Sequence, residues 1–173
     1  NAGVVKAELK RKAERVLRTL LKTYGQPVWR KPLPPLDELV STILSQNTND
    51  SNRDRAFDAL RSAFVDWAAV RDAPTEAVIA AIWPAGLANQ KGPRIQQVLR
   101  QITAERGELS LQFLGELPVE EARRWLLRFK GVGPKTAAIV LLFAFRRPAF
   151  PVDTHVHRVT GRLGLRPHWM SAA

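Results

Sequence analysis

Cysteine is absent from the 173 residues. A disulfide framework and a thiolate metal site built from this chain alone are therefore excluded. Long apolar runs are missing too. The longest, residues 137–145, is too short to cross a bilayer, so no membrane partner is expected. The opening residues, 1–12, hold no apolar signal core. No histidine pair stands at ligand spacing with a carboxylate, so no catalytic metal is expected. Alternating strand patterns, internal repeats and low-complexity tracts are lacking. Acidic residues are scarce: 16 Asp and Glu face 27 Lys and Arg, a formal net charge of +11. That imbalance favours a polyanion, with DNA, RNA and an acidic membrane surface all qualifying on charge alone.

Hydrophobic residues make up 45% of the chain, enough for a packed core. Helical periodicity organises them. Leu9, Ala13, Val16, Leu17, Leu20 and Leu21 place a helix over 4–24, with Gly25 as its cap. Pro27, Pro32, Pro34 and Pro35 read as an extended linker and a domain boundary. A helix over 36–46 breaks at 47–50. Ser51 with Asp54 resembles a capping box opening a helix to about Phe64. Pro74 starts another helix that ends before Pro84. Gly86 and the polar residues 89–92 read as a loop, and Ile95, Val98, Leu99 and Ile102 as a helix that Gly107 stops. Helices over 118–128 and 134–145 follow. Pro148 and Pro151 end the second, and a last helix starts after Asp153 and ends near Gly164.

The chemistry concentrates between Phe129 and Arg158. A helix, then Lys130-Gly131-Val132-Gly133, then a second helix is a helix-hairpin-helix pattern. Gly131 supplies a backbone geometry costly for other residues, Gly133 permits close approach, and Val132 turns inward to pin the helices. N–H groups at the start of the second helix then point outward and can bind a phosphate, the alternative being an ordinary tight turn between packed helices. Pro134 at the first helical position loses no useful bond. Lys135 follows at the positive end of the helix dipole, where a surface helix would sooner carry Glu. The alternatives for Lys135 are a phosphate contact or attack on a sugar carbon. Attack needs the neutral amine, which burial and the helix N-terminus both favour. Asp153 is well placed to cap the last helix, and a capping aspartate can also accept the proton or stabilise a cationic sugar. His155 either orients the site, touches a phosphate or is structural.

At these residues the sequence resembles the helix-hairpin-helix DNA glycosylases, most closely endonuclease III. Residues 131–137 resemble the family's hairpin and catalytic lysine, and 152–155 its catalytic aspartate segment. Residues 36–50 resemble the helix and turn that fill the space left by a flipped base, with Gln46 or Asn47 as the wedge. Residues 86–91 resemble the loop that pushes a leucine, here Leu87, into the opposite strand, with Lys91 beside it. The resemblance implies catalytic Lys135 and Asp153, and DNA contacts from Gln46, Asn47, Leu87, Lys91, Gly131, Val132, Gly133, Thr136 and His155. It implies an all-α fold of two helical lobes flanking a DNA cleft: a six-helix bundle over 36–147, and a second lobe from 1–35 plus 148–173. The activity implied is a bifunctional glycosylase and AP (apurinic/apyrimidinic) lyase that removes oxidised pyrimidines from duplex DNA. A monofunctional glycosylase for mismatched or alkylated bases and a non-catalytic DNA-binding module are the alternatives. Many relatives hold a [4Fe-4S] cluster on four C-terminal cysteines. With none here, the chain is either a cluster-free relative or a fragment whose cluster would sit on a missing C-terminal cysteine segment; with no initiator Met and no natural stop after His168, both ends are expected to be trimmed and the second lobe incomplete. A monomer in a prokaryotic cytoplasm, at the nucleoid, is expected.

Overall fold

The computed structural model describes residues 2–28, 31–167, 169 and 170. Positions 29 and 30 of the expected linker, and His168 and 171–173 of the expected trimmed end, lie outside the described residues. In chain order the helices are α1 (Ala2–Tyr24), α2 (Pro35–Leu44), α3 (Asp50–Ala63), α4 (Trp67–Asp72), α5 (Thr75–Ala81), α6 (Ala88–Arg106), α7 (Val119–Leu126), α8 (Pro134–Ile139) and α9 (Thr154–Arg162). Single 3₁₀ turns at Trp83–Ala85 and Gln112–Gly115 and a π-helical stretch at Val140–Ala144 complete the set. No strand occurs among the described residues, and none of their helices is long and apolar enough to cross a membrane. The chain divides into two compact units, 1–31 with 152–173, and 32–151.

The unit 32–151 carries α2 to α8 around one core. Pro35 opens α2, with Asp37 and Glu38 in its first turn, where negative charge suits the helix dipole. Leu39, Val40, Ile43 and Leu44 are buried on its inner side, and Leu60, Val78, Ile82, Ile95, Leu99, Ile102, Leu114, Leu126 and Leu141 fill the space around them. Phe113, Trp125 and Phe129 stack edge to face at centroid distances of 4.9 and 4.8 Å, which fixes α7 before the hairpin.

Four local features differ from the sequence reading. The cap of α3 is Asn49, whose side chain accepts from the Asn52 N–H at 2.9 Å, in place of Ser51. Polar residues on both sides of this onset leave the period no apolar position to mark it. The short helix α4 is an addition to the six expected in this bundle. Six residues are too few to show a helical period, and its anchors are tertiary: Asp66 caps it at 2.7 Å and Trp67 donates to Asp37 at 2.7 Å. Residues 89–92, expected as a loop, are helical within α6. Gly92 packs so closely on α5 that a Cβ there would lie 2.8 Å from Ile79 Cγ1. Contact with α5 thus overrides a polar, proline-bearing sequence. Finally, the helix after the hairpin widens into π turns at Val140. Five consecutive apolar residues carry no phase that separates one helical pitch from another. Arg147 closes this region by donating to the carbonyls of Gly115 and Leu117 at 2.6 and 2.9 Å.

The unit 1–31 with 152–173 holds α1 and α9. Gly25 ends α1 at φ +79°, its N–H bonded to Leu21. Arg166 folds the chain back onto α9 by donating to the His157 carbonyl from Nε at 3.0 Å and from Nη2 at 2.8 Å.

Buried Gln96 joins α4, α5 and α6. Its amide nitrogen donates to Val70 and Ala73 at 2.9 and 2.7 Å, and its oxygen accepts from Thr75 at 2.7 Å. Gln96→Leu would leave these groups unpaired, and each such group costs about 1–3 kcal/mol. Urea denaturation should therefore show a loss of about 2–4 kcal/mol, and a loss under about 0.5 kcal/mol would show that the network is not needed.

Candidate functional site

The hairpin is set by two residues that adopt opposite solutions. Gly131 takes φ +86°, which favours glycine, and Arg94 crosses directly over it. A Cβ on Gly131 would lie 2.3 Å from Arg94 Cδ. Gly133 is extended at φ −93° and serves as the N-cap of α8 without a side-chain bond. The N–H groups of Lys135 and Thr136 therefore have no intrahelical acceptor, and Pro134 has no N–H to offer. Unpaired amides at a helix N-terminus are suited to holding an anion. Val132 fits one of its two expected roles, turning inward between the helices. Its side chain is buried and its N–H donates to Phe129 at 3.0 Å, so it shapes the turn and offers no donor to a phosphate. The Thr136 side chain is likewise buried, which leaves its backbone amide as the usable group.

Lys135 is exposed and borders a recess of 320 Å³ walled by Thr42, Ser45, Gln46, Asn47 and Thr136. That volume lies at the lower end of the range for small-molecule sites, about 300–1,000 Å³. The burial expected around the amine is not supplied by this unit. The recess brings the end of α2 against the hairpin. Gln46 makes the join: its Nε2 donates to the Gly131 carbonyl at 3.0 Å, and its Oε1 accepts from Arg94 at 3.0 Å. Both ends of this amide are engaged inside the unit. Asn47 is exposed, with left-handed backbone at φ +53°. Of the two wedge candidates, Asn47 is therefore the one whose side chain projects from the turn.

Leu87 forms a second exposed tip. It is 47% exposed at φ +52°, ψ +30°, directly before α6. For a leucine this backbone costs about 1–2 kcal/mol. Lys91 departs from its expected role as a DNA contact. It is 1% exposed, and its Nζ donates to the carbonyls of Leu44 and Ala85, both at 2.8 Å. Burial, and then the charge of Arg94, push its pKa below the ordinary lysine range. The sequence holds a signal for this: Lys91 stands four, seven and eleven residues before Ile95, Val98 and Ile102, on the buried face of α6. The tie among Arg94, Gln46 and Gly131 had no such signal, because it joins three distant stretches.

Asp153 caps α9, its Oδ1 accepting from the Val156 N–H at 2.7 Å. His155 is exposed on the same helix, with Nδ1 3.1 Å from Arg158 Nη2. Asp153 and His155 belong to the unit 1–31 with 152–173, and Lys135 to 32–151. Among the described residues no group of three or more His, Asp or Glu could hold a metal ion. The chain has no cysteine, so its own residues do not fit a [4Fe-4S] cluster.

A family model described as "HhH-GPD superfamily base excision DNA repair protein" matches residues 40–172. A protein of Arabidopsis thaliana named as a candidate DNA glycosylase is 45% identical over 132 residues, covering 76% of this chain and 45% of that one. Endonuclease III of Thermotoga maritima is 35% identical over 151 residues, 87% of this chain and 66% of the relative. The chain thus spans from under half to about two thirds of these relatives' length. A solved, trapped covalent complex of endonuclease III with DNA superposes with a TM-score of 0.70 at 26% identity, over 99% of this chain and 73% of the other.

The two hairpin glycines separate by substitution. Gly131→Ala meets both the left-handed backbone and Arg94, and should lose about 1–3 kcal/mol in denaturation. A Cβ on Gly133 meets nothing within 4 Å. Gly133→Ala should stay within about 1 kcal/mol of the parent. Equal stability of the two variants would contradict this assignment.

Proposed function

The chain belongs to the HhH-GPD superfamily of base excision DNA repair proteins, and from that premise we propose that it is a bifunctional DNA N-glycosylase and AP lyase. The observation that carries the reading is Lys135: an exposed amine on the first turn after the hairpin, bordering a recess. The amides of Lys135 and Thr136 would seat a phosphate of the damaged strand and so set the sugar beside the amine. This contact positions the duplex without reading sequence. The net charge of +11 suits such a partner.

The reaction runs in two stages. In the first, Lys135 Nζ forms a bond to C1′ of the damaged nucleotide while the glycosidic bond breaks, its electron pair leaving with the base. The amine's proton passes to a base, the role we assign to Asp153. Opening of the sugar ring then gives a Schiff base at C1′. In the second stage a proton leaves C2′, the C2′–C3′ double bond forms and the 3′ phosphate departs, which nicks the strand. Hydrolysis of the imine releases Lys135. Its capping bond to Val156 fixes the Asp153 carboxylate relative to α9. Oxidised or ring-saturated pyrimidines are the proposed substrates, on the resemblance to endonuclease III. Such bases stack poorly, so eversion from the duplex is least costly for them. The protein would act as a monomer on duplex DNA.

Borohydride trapping on duplex containing thymine glycol tests the reading. The parent should form a covalent protein–DNA adduct, and Lys135→Gln should form none. Base release without an adduct would instead support a monofunctional enzyme, and neither release nor adduct a binding module. Asp153→Asn should keep DNA affinity while single-turnover excision falls by about 10²-fold or more. A parental rate in that variant would remove Asp153 from the chemistry.

A further inference from the structure

Two exposed tips, Asn47 and Leu87, share an uncommon property: both are non-glycine residues in left-handed backbone. Such residues persist only where their surroundings hold them, and they cluster at functional sites. Each tip follows closely on a carbonyl that accepts from the same nitrogen. Leu44 lies three residues before Asn47, and Ala85 two residues before Leu87. The nitrogen is that of Lys91. Leu44 is also the last residue of α2, where unpaired carbonyls and the negative end of the helix dipole favour a buried donor. One turn along α6, Arg94 adds a second tie by holding Gln46, which holds the hairpin carbonyl of Gly131.

We propose that Lys91 is a positioning residue for strand separation: its side chain fixes the Asn47 tip and the Leu87 tip in one frame, so that the two enter the duplex together. The inference rests on the reading of the chain as a base-everting glycosylase and adds to it a residue that never touches DNA. A polar group could have been avoided at this position, since Ile95, Val98 and Ile102 on the same face are apolar. What an apolar side chain cannot do is satisfy two carbonyls from separate turns at once. With that link lost, each tip relaxes from its left-handed conformation independently, and the hairpin with Lys135 is left intact. Phosphate binding is then retained, and eversion of the base is lost.

The test uses Lys91→Met and Lys91→Gln in the full chain, the second keeping an N–H donor should the first fail to fold. The probe is a duplex with a tetrahydrofuran abasic analogue and 2-aminopurine opposite it, whose fluorescence rises when the tips unstack the helix. All rates are normalised to folded, DNA-binding protein, so a loss of stability alone does not move them. The parent should give a fluorescence rise. Lys91→Met, or Lys91→Gln in its place, should bind within about threefold of the parent, since phosphate contacts set affinity. That variant should lose most of the fluorescence rise and excise thymine glycol about tenfold or more slowly, with KM little changed. Amide hydrogen exchange at Asn47 and Leu87 should accelerate together. Parental fluorescence and parental excision rate in a folded Lys91 variant would overturn the inference while leaving the glycosylase reading in place. A parent protein that neither unstacks the duplex nor excises would overturn both.

Discussion

The constraint on which the unit 32–151 depends is the C-terminal end of α2. A helix end leaves carbonyls without partners, and a buried one needs donors from elsewhere in the fold. Here α6 supplies one directly, through Lys91 to Leu44, and reaches the following turn through Arg94 to Gln46. The same two side chains extend outward, from Lys91 to Ala85 and from Gln46 to Gly131. Three stretches far apart in sequence are thereby fixed around one helical turn. Lys91 is a costly device for this, because burial disfavours its charge. Both of its acceptors are backbone oxygens, which no substitution of a neighbouring side chain can remove.

Much of this was legible in the residues. The main helices follow from apolar period and from their glycine and proline boundaries. Gly131 and Gly133 mark a turn that admits little else, and Asp153 takes the capping position that its neighbours suggest. The missed features share a cause. The helix α4 is too short to show a period, and its onset is set by Asp66 and Trp67. The start of α6 is polar and contains Pro93, so local propensity argues for a loop; close packing of Gly92 on Ile79 decides otherwise. Lys91 is expected at DNA through the resemblance of its loop, yet its spacing places it on the buried face of its helix. A lysine in a basic chain suggests a phosphate, and only the fold shows that this one meets two carbonyls.

The candidate site divides its work between elements of different character. The hairpin is a tight turn presenting backbone amides, which in the proposed function seat a phosphate of any duplex. The two tips hold left-handed backbone in non-glycine residues, a strain stored beside an otherwise well-packed core. Lys135 is exposed and borders the same recess as Asn47. In the proposed function, the substrate itself completes the environment of the amine. This separates recognition from reaction: the duplex is held through phosphate, and chemistry begins only when an everted nucleotide fills the space at Lys135.

The central claim is that one particular amine becomes bonded to the sugar. Peptide mapping of the borohydride-reduced protein–DNA complex by mass spectrometry tests it most directly. A deoxyribose remnant is expected on the peptide containing Lys135. A remnant on Lys91, Lys130 or any other amine, with the Lys135 peptide unmodified, would contradict it.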